Sequence, residues 1–454
     1  VTAALSRSCV LAVLVAAPLA FGAVHDEARW PFVGLSVLAG AAAWARERQD
    51  LALGEESNAV PGWRLLCALH VLVLFQLVRW PAPLLGILSP GSLELYWGRW
   101  GGSSYYWLPI TVSQRSTLRA LPYLVGVSLL YAAAFRGFSE RRWAYRLAGT
   151  VLGVATLMTL VGFVQRGSEH PGRIYGLWEP LKSDAVFGPY VNRTHYAGHV
   201  IMAVPLALAF AASSLRRTTA AWRRSGFSAL GEADASRAVL AAGLATFVAS
   251  GILNCGSRTG IGVLLLTGLV VPLALFRRAA LAATLVAGAG GLVAYATADL
   301  SWLPAAFASR GFEASRLVVW KDMWPMVGDF PVFGLGLNAM GRAYRVYQTV
   351  YLWDYWAEAH NEYYQSLLDL GLVGACLTAG LLFLLFSRAW RGASRSAFGV
   401  GLLGALTAQA AANVVDFNWQ IPANAATFAA LAGVAVGRAR DDESRSSDAT
   451  HTAG

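Results

Sequence analysis

The sequence predicts an all-α polytopic membrane protein with about a dozen spans. Three observations carry that expectation: its composition, a series of apolar runs of membrane length, and an alternation of arginine between the connecting segments. Of 454 residues, 56% are hydrophobic and 14% charged, with a mean hydropathy of +0.49. Soluble domains carry about 25% charged residues. The apolar runs lack the polar stripe of a surface helix in a soluble protein, so lipid and neighbouring helices are their expected surroundings.

The runs fall at 8–24, 31–44, 64–78, 119–135, 146–164, 196–214, 238–254, 260–276, 279–297, 363–387, 397–414 and 421–437. A helix needs about 20 apolar residues to cross a bilayer, and fewer where the bilayer is thin. The first run follows Arg7 and ends in small residues, as a secretory signal does. With a second run beginning near Trp30, it is read as an uncleaved span. The polar stretch 441–454 reads as a disordered cytoplasmic tail behind one integral-membrane domain, 1–440.

Orientation follows from the bias of Lys and Arg toward the cytoplasm. One set of connections holds Arg46 and Arg48, Arg136 to Arg146, Arg216 to Arg224, Arg277 and Arg278, and Arg388 to Arg395. Those segments and both termini are expected in the cytoplasm. The other set, 25–30, 79–118, 165–195, 255–259, 298–362 and 415–420, is expected outside. The net charge of +10 is explained by these arginines rather than by nucleic acid, since no basic helix or RNA-binding aromatic motif occurs.

The four cysteines show no CxxC spacing, and neither a disulfide framework nor a zinc site follows. The histidines show no metal-ligand spacing, so no metal is expected. No Walker loop occurs, and no cofactor is implied.

Chemistry-bearing residues concentrate in the outer set. Gly188-Pro-Tyr-Val-Asn192-Arg193-Thr-His-Tyr-Ala197 opens the sixth span, and Gly256-Ser-Arg258-Thr-Gly260 is a tight turn between the seventh and eighth. Arg316 lies in the long segment 298–362, ahead of Pro331, Gly334 and Gly336, and Arg342 and Arg345 follow. A headgroup contact explains any one of these arginines. Together, beside apolar spans in loops that the charge bias depletes, they suggest an anion site. The planar fork of Arg258 suits a phosphate or pyrophosphate. The aromatics Trp320, Trp324, Tyr344, Tyr347, Tyr351, Trp353, Tyr355 and Trp356 fit a membrane interface or a sugar-binding surface equally well.

His360-Asn361 ends the long segment. If a helix begins there, His360, Tyr364 and Leu367 share one face. His360 reads as a boundary histidine or as a general base. Asp416, in the turn before the last span, is placed to pair an arginine or to orient a base, and pairing is the favoured role.

These segments resemble the O-antigen ligase and polymerase-like family of bacterial envelope glycosyltransferases. The matching elements are Gly188 to Ala197, Ser257 to Gly260, Arg316 with Pro331 and Gly334, His360-Asn361 followed by Gly371, and the Asp416 turn. Weaker similarity runs from Phe21 to His25 and from Ser113 to Arg119. The resemblance implies a GT-C-type membrane glycosyltransferase with a large periplasmic loop. It implies an undecaprenyl-pyrophosphate-linked glycan as donor, and lipid A-core or a growing glycan as acceptor. Arg193, Arg258 and Arg316 would hold the pyrophosphate, and His360 would act at the acceptor. Asn192, Asn361 and Asp416 would support them. Asp416 or Glu362 would orient the His360 ring, while Thr194 and His195 receive no role.

Ligation to lipopolysaccharide in the bacterial inner membrane leads the functional expectations. Polymerisation of repeat units is the second. A transporter of a lipid-linked glycan is the third, disfavoured because few polar residues fall within the spans. Reporter fusions test the orientation: Arg217 and Arg391 should read cytoplasmic and the neighbourhood of Tyr347 periplasmic, and a cytoplasmic signal at Tyr347 would overturn the outer placement of the site.

Overall fold

A computed structural model describes residues 1–54, 59–102, 105–275, 311–350 and 356–451. Its helices, in chain order, are α1 (Thr2–Leu19), α2 (Asp26–Ala52), α3 (Trp63–Leu77), α4 (Ala82–Leu88), α5 (Pro90–Glu94), α6 (Gln114–Phe138), α7 (Arg141–Arg166), α8 (Arg193–Val200) and α9 (Ala203–Ser225). They continue with α10 (Ala233–Asn254), α11 (Arg258–Leu275), α12 (Gly311–Asp329), α13 (Met340–Tyr347), α14 (Glu362–Arg395), α15 (Ala397–Ala412) and α16 (Pro422–His451). A short antiparallel ribbon pairs β1 (Arg79–Pro81) with β2 (Trp107–Pro109).

The protein is polytopic. Among the described residues, seven helical stretches are long and apolar enough to cross a membrane: α1, α6, α7, the stretch Arg193–Gly231 containing α8 and α9, α10, α11 and α14. Helices α3 and α15 are apolar but shorter. The expected span at 279–297 lies outside the described residues, as do Tyr351, Trp353 and Tyr355. Helix α16 runs on without a break into the polar stretch after Arg440.

Small residues let the helices approach closely, as in membrane bundles generally. Gly433 of α16 packs on the α6 backbone around Tyr131 and Phe135, and Gly401 of α15 packs on α9 at Pro205. The main core, with Val10, Phe135, Leu147, Met158 and Leu431 fully buried, runs through α1, α6, α7, α9, α15 and α16.

The described connections of the two sets separate to opposite ends of this bundle. At one end Arg7 donates to the Gly137 carbonyl at 2.8 Å, Arg136 pairs with Glu47, and Arg217 pairs with Asp234 at 3.0 Å. At the other end gather 19–25, 170–195, 254–258, 356–363 and 413–421. Tyr175 there donates to the Leu19 carbonyl at 2.5 Å, and Glu362 to the Asn413 carbonyl at 3.0 Å.

A subdomain of α12 and α13 covers that second end. Several aromatics of the long segment are spent on its interior. Tyr344 donates to Asp322 at 2.9 Å, Tyr347 to Asp329 at 2.7 Å, and Trp320 to the Ala359 carbonyl at 2.6 Å.

The stretch 331–337 binds the subdomain to the bundle by running beside the start of α14. Leu335 N donates to Leu368 O and Gly336 N to Asp369 O, both at 2.9 Å, and Leu372 N to Pro331 O at 2.8 Å. Gln76 of α3 adds its amide to the Phe333 and Asp369 carbonyls at 2.6 and 2.9 Å. Two glycines permit the approach. Gly334 and Gly371 have φ of +70° and +63°, and a Cβ on Gly334 would lie 2.4 Å from the Gly371 nitrogen.

Gly334→Ala should therefore destabilise the protein by about 1–3 kcal/mol through overpacking, read as a lower unfolding midpoint in detergent. Gly328→Ala, where nothing lies within 4 Å of the added methyl, should leave the midpoint unchanged or raise it. Equal midpoints for Gly334→Ala and wild type would refute the close-approach account.

Candidate active site

The site is assembled from two helix starts, one turn and one buried arginine. Helix α8 begins where Asn192 caps it, its side-chain oxygen accepting from Thr194 N at 2.8 Å. Helix α14 begins in the same way. The Asn361 side chain accepts from Tyr363 N and Tyr364 N at 3.1 and 3.0 Å. Both asparagines thus satisfy amides that a helix start leaves unpaired.

Because Asn361 is the cap, His360 precedes the helix. It does not share a helical face with Tyr364 and Leu367, as the spacing had suggested. Its φ of 51° is left-handed, a conformation costing a non-glycine residue roughly 1–2 kcal/mol. The ring is held edge-on between Trp356 and Phe417, at centroid distances of 4.8 and 4.6 Å.

The turn 413–421 is clamped against that point. Glu362 accepts from Gln420 N and Nε2 at 3.1 and 3.2 Å, and Asn413 accepts from Asn418 N at 2.9 Å. Asp416 is thereby fixed beneath His360, with its carboxylate 1% exposed. Its Oδ1 accepts from Phe417 N at 2.9 Å, and Asn418 donates to Oδ2 at 3.4 Å. The same Oδ1 faces His360 Nδ1 at 3.9 Å and His195 Nε2 at 3.6 Å. Both separations exceed hydrogen-bond length. Arg316, buried on α12, donates to the Val415 carbonyl beside them.

Burial and the neighbouring cations oppose each other at Asp416 and act together at His360. Burial alone would raise the Asp416 carboxyl, but His195, His360 and Arg316 outweigh it and hold the group below the usual range. Burial pushes the His360 imidazole down to about 4. Arg316, His195 and Lys182 push it the same way, while Asp416 opposes them. At neutral pH the pair is therefore an anionic carboxylate facing a neutral imidazole.

Arg193 and Arg258 stand apart from this cluster. Arg193, exposed at the first position of α8, lines a cavity of about 480 Å³ with Gln165, Arg166, Ser183 and Cys255. Arg166 donates to the Asn254 carbonyl, and Ser257 caps α11 by accepting from Gly260 N at 3.1 Å. Half-buried Arg258 opens α11 just beyond that turn, three residues after Cys255. The first turn of α8 joins the two regions. Positions 193 and 195 lie roughly 200° apart around a helix, so Arg193 faces the cavity while His195 turns to Asp416.

The site thus brings Arg316, His360 and Asp416 together, with Arg193 and Arg258 on its flank. His195 escaped the sequence reading, which left it without a role. So did Asn424, which donates to the His195 carbonyl and to Asn418 Oδ1, both at 2.9 Å, and accepts from Tyr190 at 2.9 Å. The available signal was the density of amides and acids in Asn413, Asp416, Asn418, Gln420 and Asn424, at and between the facing ends of two apolar runs. Among the described residues, no group of three or more His, Cys, Asp or Glu is arranged to hold a metal ion.

Residues 234–379 match the family model described as O-antigen ligase. That match is confined to 234–379, about a third of the chain. Members of that family are ligases and polymerases that transfer lipid-linked glycans. The matched stretch contains Arg258, Arg316 and His360, whereas Arg193 and Asp416 lie outside it. No curated protein matches the chain.

The signs of the charge effects give a direct test by titration of the His360 ring with nitrogen NMR. Arg316→Gln should raise its midpoint above about 4, and Asp416→Asn should lower it. A His360 that titrates near its ordinary 6.5 in the wild type would show that the cluster does not form.

Proposed function

We propose that the protein transfers a glycan from undecaprenyl pyrophosphate to an acceptor hydroxyl at the periplasmic face of the bacterial inner membrane. The specific reaction we assign is ligation of O-antigen to the lipopolysaccharide core. One observation carries the catalytic part: the His360 imidazole is set against the buried carboxylate of Asp416 at the arginine-bearing end of the bundle. The arginine alternation in the sequence supports the periplasmic face.

A sugar hydroxyl is a weak nucleophile at neutral pH, so the attacking side needs a base. Nδ1 of His360 faces Asp416, which leaves Nε2 to accept the hydroxyl proton. The acceptor oxygen then bonds to the anomeric carbon of the donor. The bond from that carbon to the phosphate oxygen breaks, and its electron pair leaves with undecaprenyl pyrophosphate. That leaving group needs no strong acid. Arg193, Arg258 and Arg316 would bind its charge through forked, charge-assisted hydrogen bonds.

A base at about 4 is neutral but weak. Pyrophosphate bound beside Arg316 would offset the cationic field on His360 and raise its basicity, so the base would strengthen when the donor arrives. The base and the counter-charge both come from side chains, and the proposal includes no metal.

Deletion and complementation test the reading. Loss of the gene should leave lipopolysaccharide core with no added glycan. Core bearing one repeat would assign polymerisation instead, and unchanged lipopolysaccharide would reject both. In membranes with equal protein, His360→Ala should reduce transfer at least about a hundredfold, within the range of a general base. Arg258→Lys should reduce it roughly tenfold to a hundredfold, as expected for loss of a charge-assisted contact. Transfer by His360→Ala within about threefold of wild type would remove it as the base, since far larger losses are expected.

A further inference from the structure

We infer that His195 is a positioning residue of the same reaction, acting through Asp416 on His360. The inference rests on the transfer reading above, and on three features of the site that are independent of it.

The first is a shared atom. His195 Nε2 and His360 Nδ1 face the same oxygen, Asp416 Oδ1, at 3.6 and 3.9 Å. Both nitrogens are buried, and neither has a hydrogen-bond partner elsewhere among the described residues. An ionised carboxylate only accepts, so each facing nitrogen must carry a hydrogen if it is to approach. A neutral His195 is therefore the Nε2–H form and a neutral His360 the Nδ1–H form. That choice leaves the Nε2 lone pair of His360 for the acceptor hydroxyl.

The second is the ring packing. Phe417 meets both imidazoles edge-on, His195 at 4.5 Å and His360 at 4.6 Å. The two rings are thus spaced by one residue whose backbone amide donates to Asp416 Oδ1. His195 is 7% exposed and Asp416 1%, whereas His360 is 24% exposed. Only His360 is open to a substrate, which excludes His195 as the base.

The third is the anchorage of His195. It is the third residue of α8, and its carbonyl accepts from Asn424 at 2.9 Å. Asn424 bonds Asn418 in turn, and Asn418 donates to Asp416 Oδ2. The helix that presents Arg193 to the cavity thus also sets the second ring on the carboxylate. When His360 takes up a proton, its imidazolium draws toward Oδ1. A donor from His195 keeps that carboxylate ionised and turned to the base, so the charge forms against a fixed partner. Long contacts of this kind commonly shorten when substrate binds.

A buried histidine that merely fills space predicts something different, and two variants separate the roles. Glutamine places an amide donor near the Nε2 position, and alanine removes it. With purified protein and a lipid-linked glycan donor, His195→Ala should lower kcat about tenfold to a hundredfold with donor KM unchanged. His195→Gln should recover to within about threefold of wild type, since it keeps the donor. Equal losses in both variants, or kcat within about threefold of wild type for His195→Ala, would overturn the inference.

Nitrogen NMR of the wild type at neutral pH supplies a readout that needs no turnover. His195 should appear as the Nε2–H tautomer and His360 as the Nδ1–H tautomer. An Nδ1–H tautomer at His195 overturns the inference whatever the transfer assay shows. A wild type that transfers no glycan while showing the expected tautomers would instead reject the transfer reading.

Discussion

Burying an ionised carboxylate among apolar helices carries a penalty of several kcal/mol per ion unless neighbouring groups offset it. Asp416 sits in that position, 1% exposed, at the end of the bundle where 170–195, 356–363 and 413–421 meet. Its neighbours answer the constraint. One backbone amide and one side-chain amide donate to it, two imidazoles face one of its oxygens, and Arg316 lies beside it. The same arrangement keeps His360 neutral, because Arg316, which stabilises the anion, and burial both disfavour a second cation. The state of the acid and the state of the base have one physical cause.

Such a balance holds only if the groups cannot move apart, and much of the surrounding polar structure serves that end. Glu362 ties the 413–421 turn to the first turn of α14, so Asp416 and His360 are fixed to one frame. Arg316 reaches the same turn from α12 through the Val415 carbonyl. The Gly334 and Gly371 contact, with the Gln76 amide across it, secures the subdomain that carries Arg316 against the bundle. The left-handed backbone at His360 fits this picture. Conformational strain of that kind persists only where the surroundings over-determine it.

Much of the fold was legible because membrane spans are written locally. An apolar run needs only its own residues to declare itself, and the arginine alternation then orders the connections into two sets. Candidate residues in capped turns were legible for a similar reason. Asn192 and Asn361 stand immediately before the helices they cap. The spacing of His360, Tyr364 and Leu367 misled because a helical pattern says nothing about where the helix begins, and the Asn361 cap decided that. Composition also could not say which aromatics of the long segment turn inward: Trp320, Tyr344 and Tyr347 bond within the subdomain, whereas Trp324 is exposed.

The sequence by itself determined an all-helical polytopic chain, the segregation of its charges, and an arginine and histidine inventory concentrated in one set of loops. Those properties depend on hydrophobicity and charge, which each segment expresses alone. Only the tertiary structure decided that Arg316, His360 and Asp416 converge while Arg193 and Arg258 flank them, and that His195 joins the carboxylate. These residues lie far apart along the chain. Their meeting depends on how the helices pack and on which amides and glycines let distant backbones touch, and no single segment encodes that.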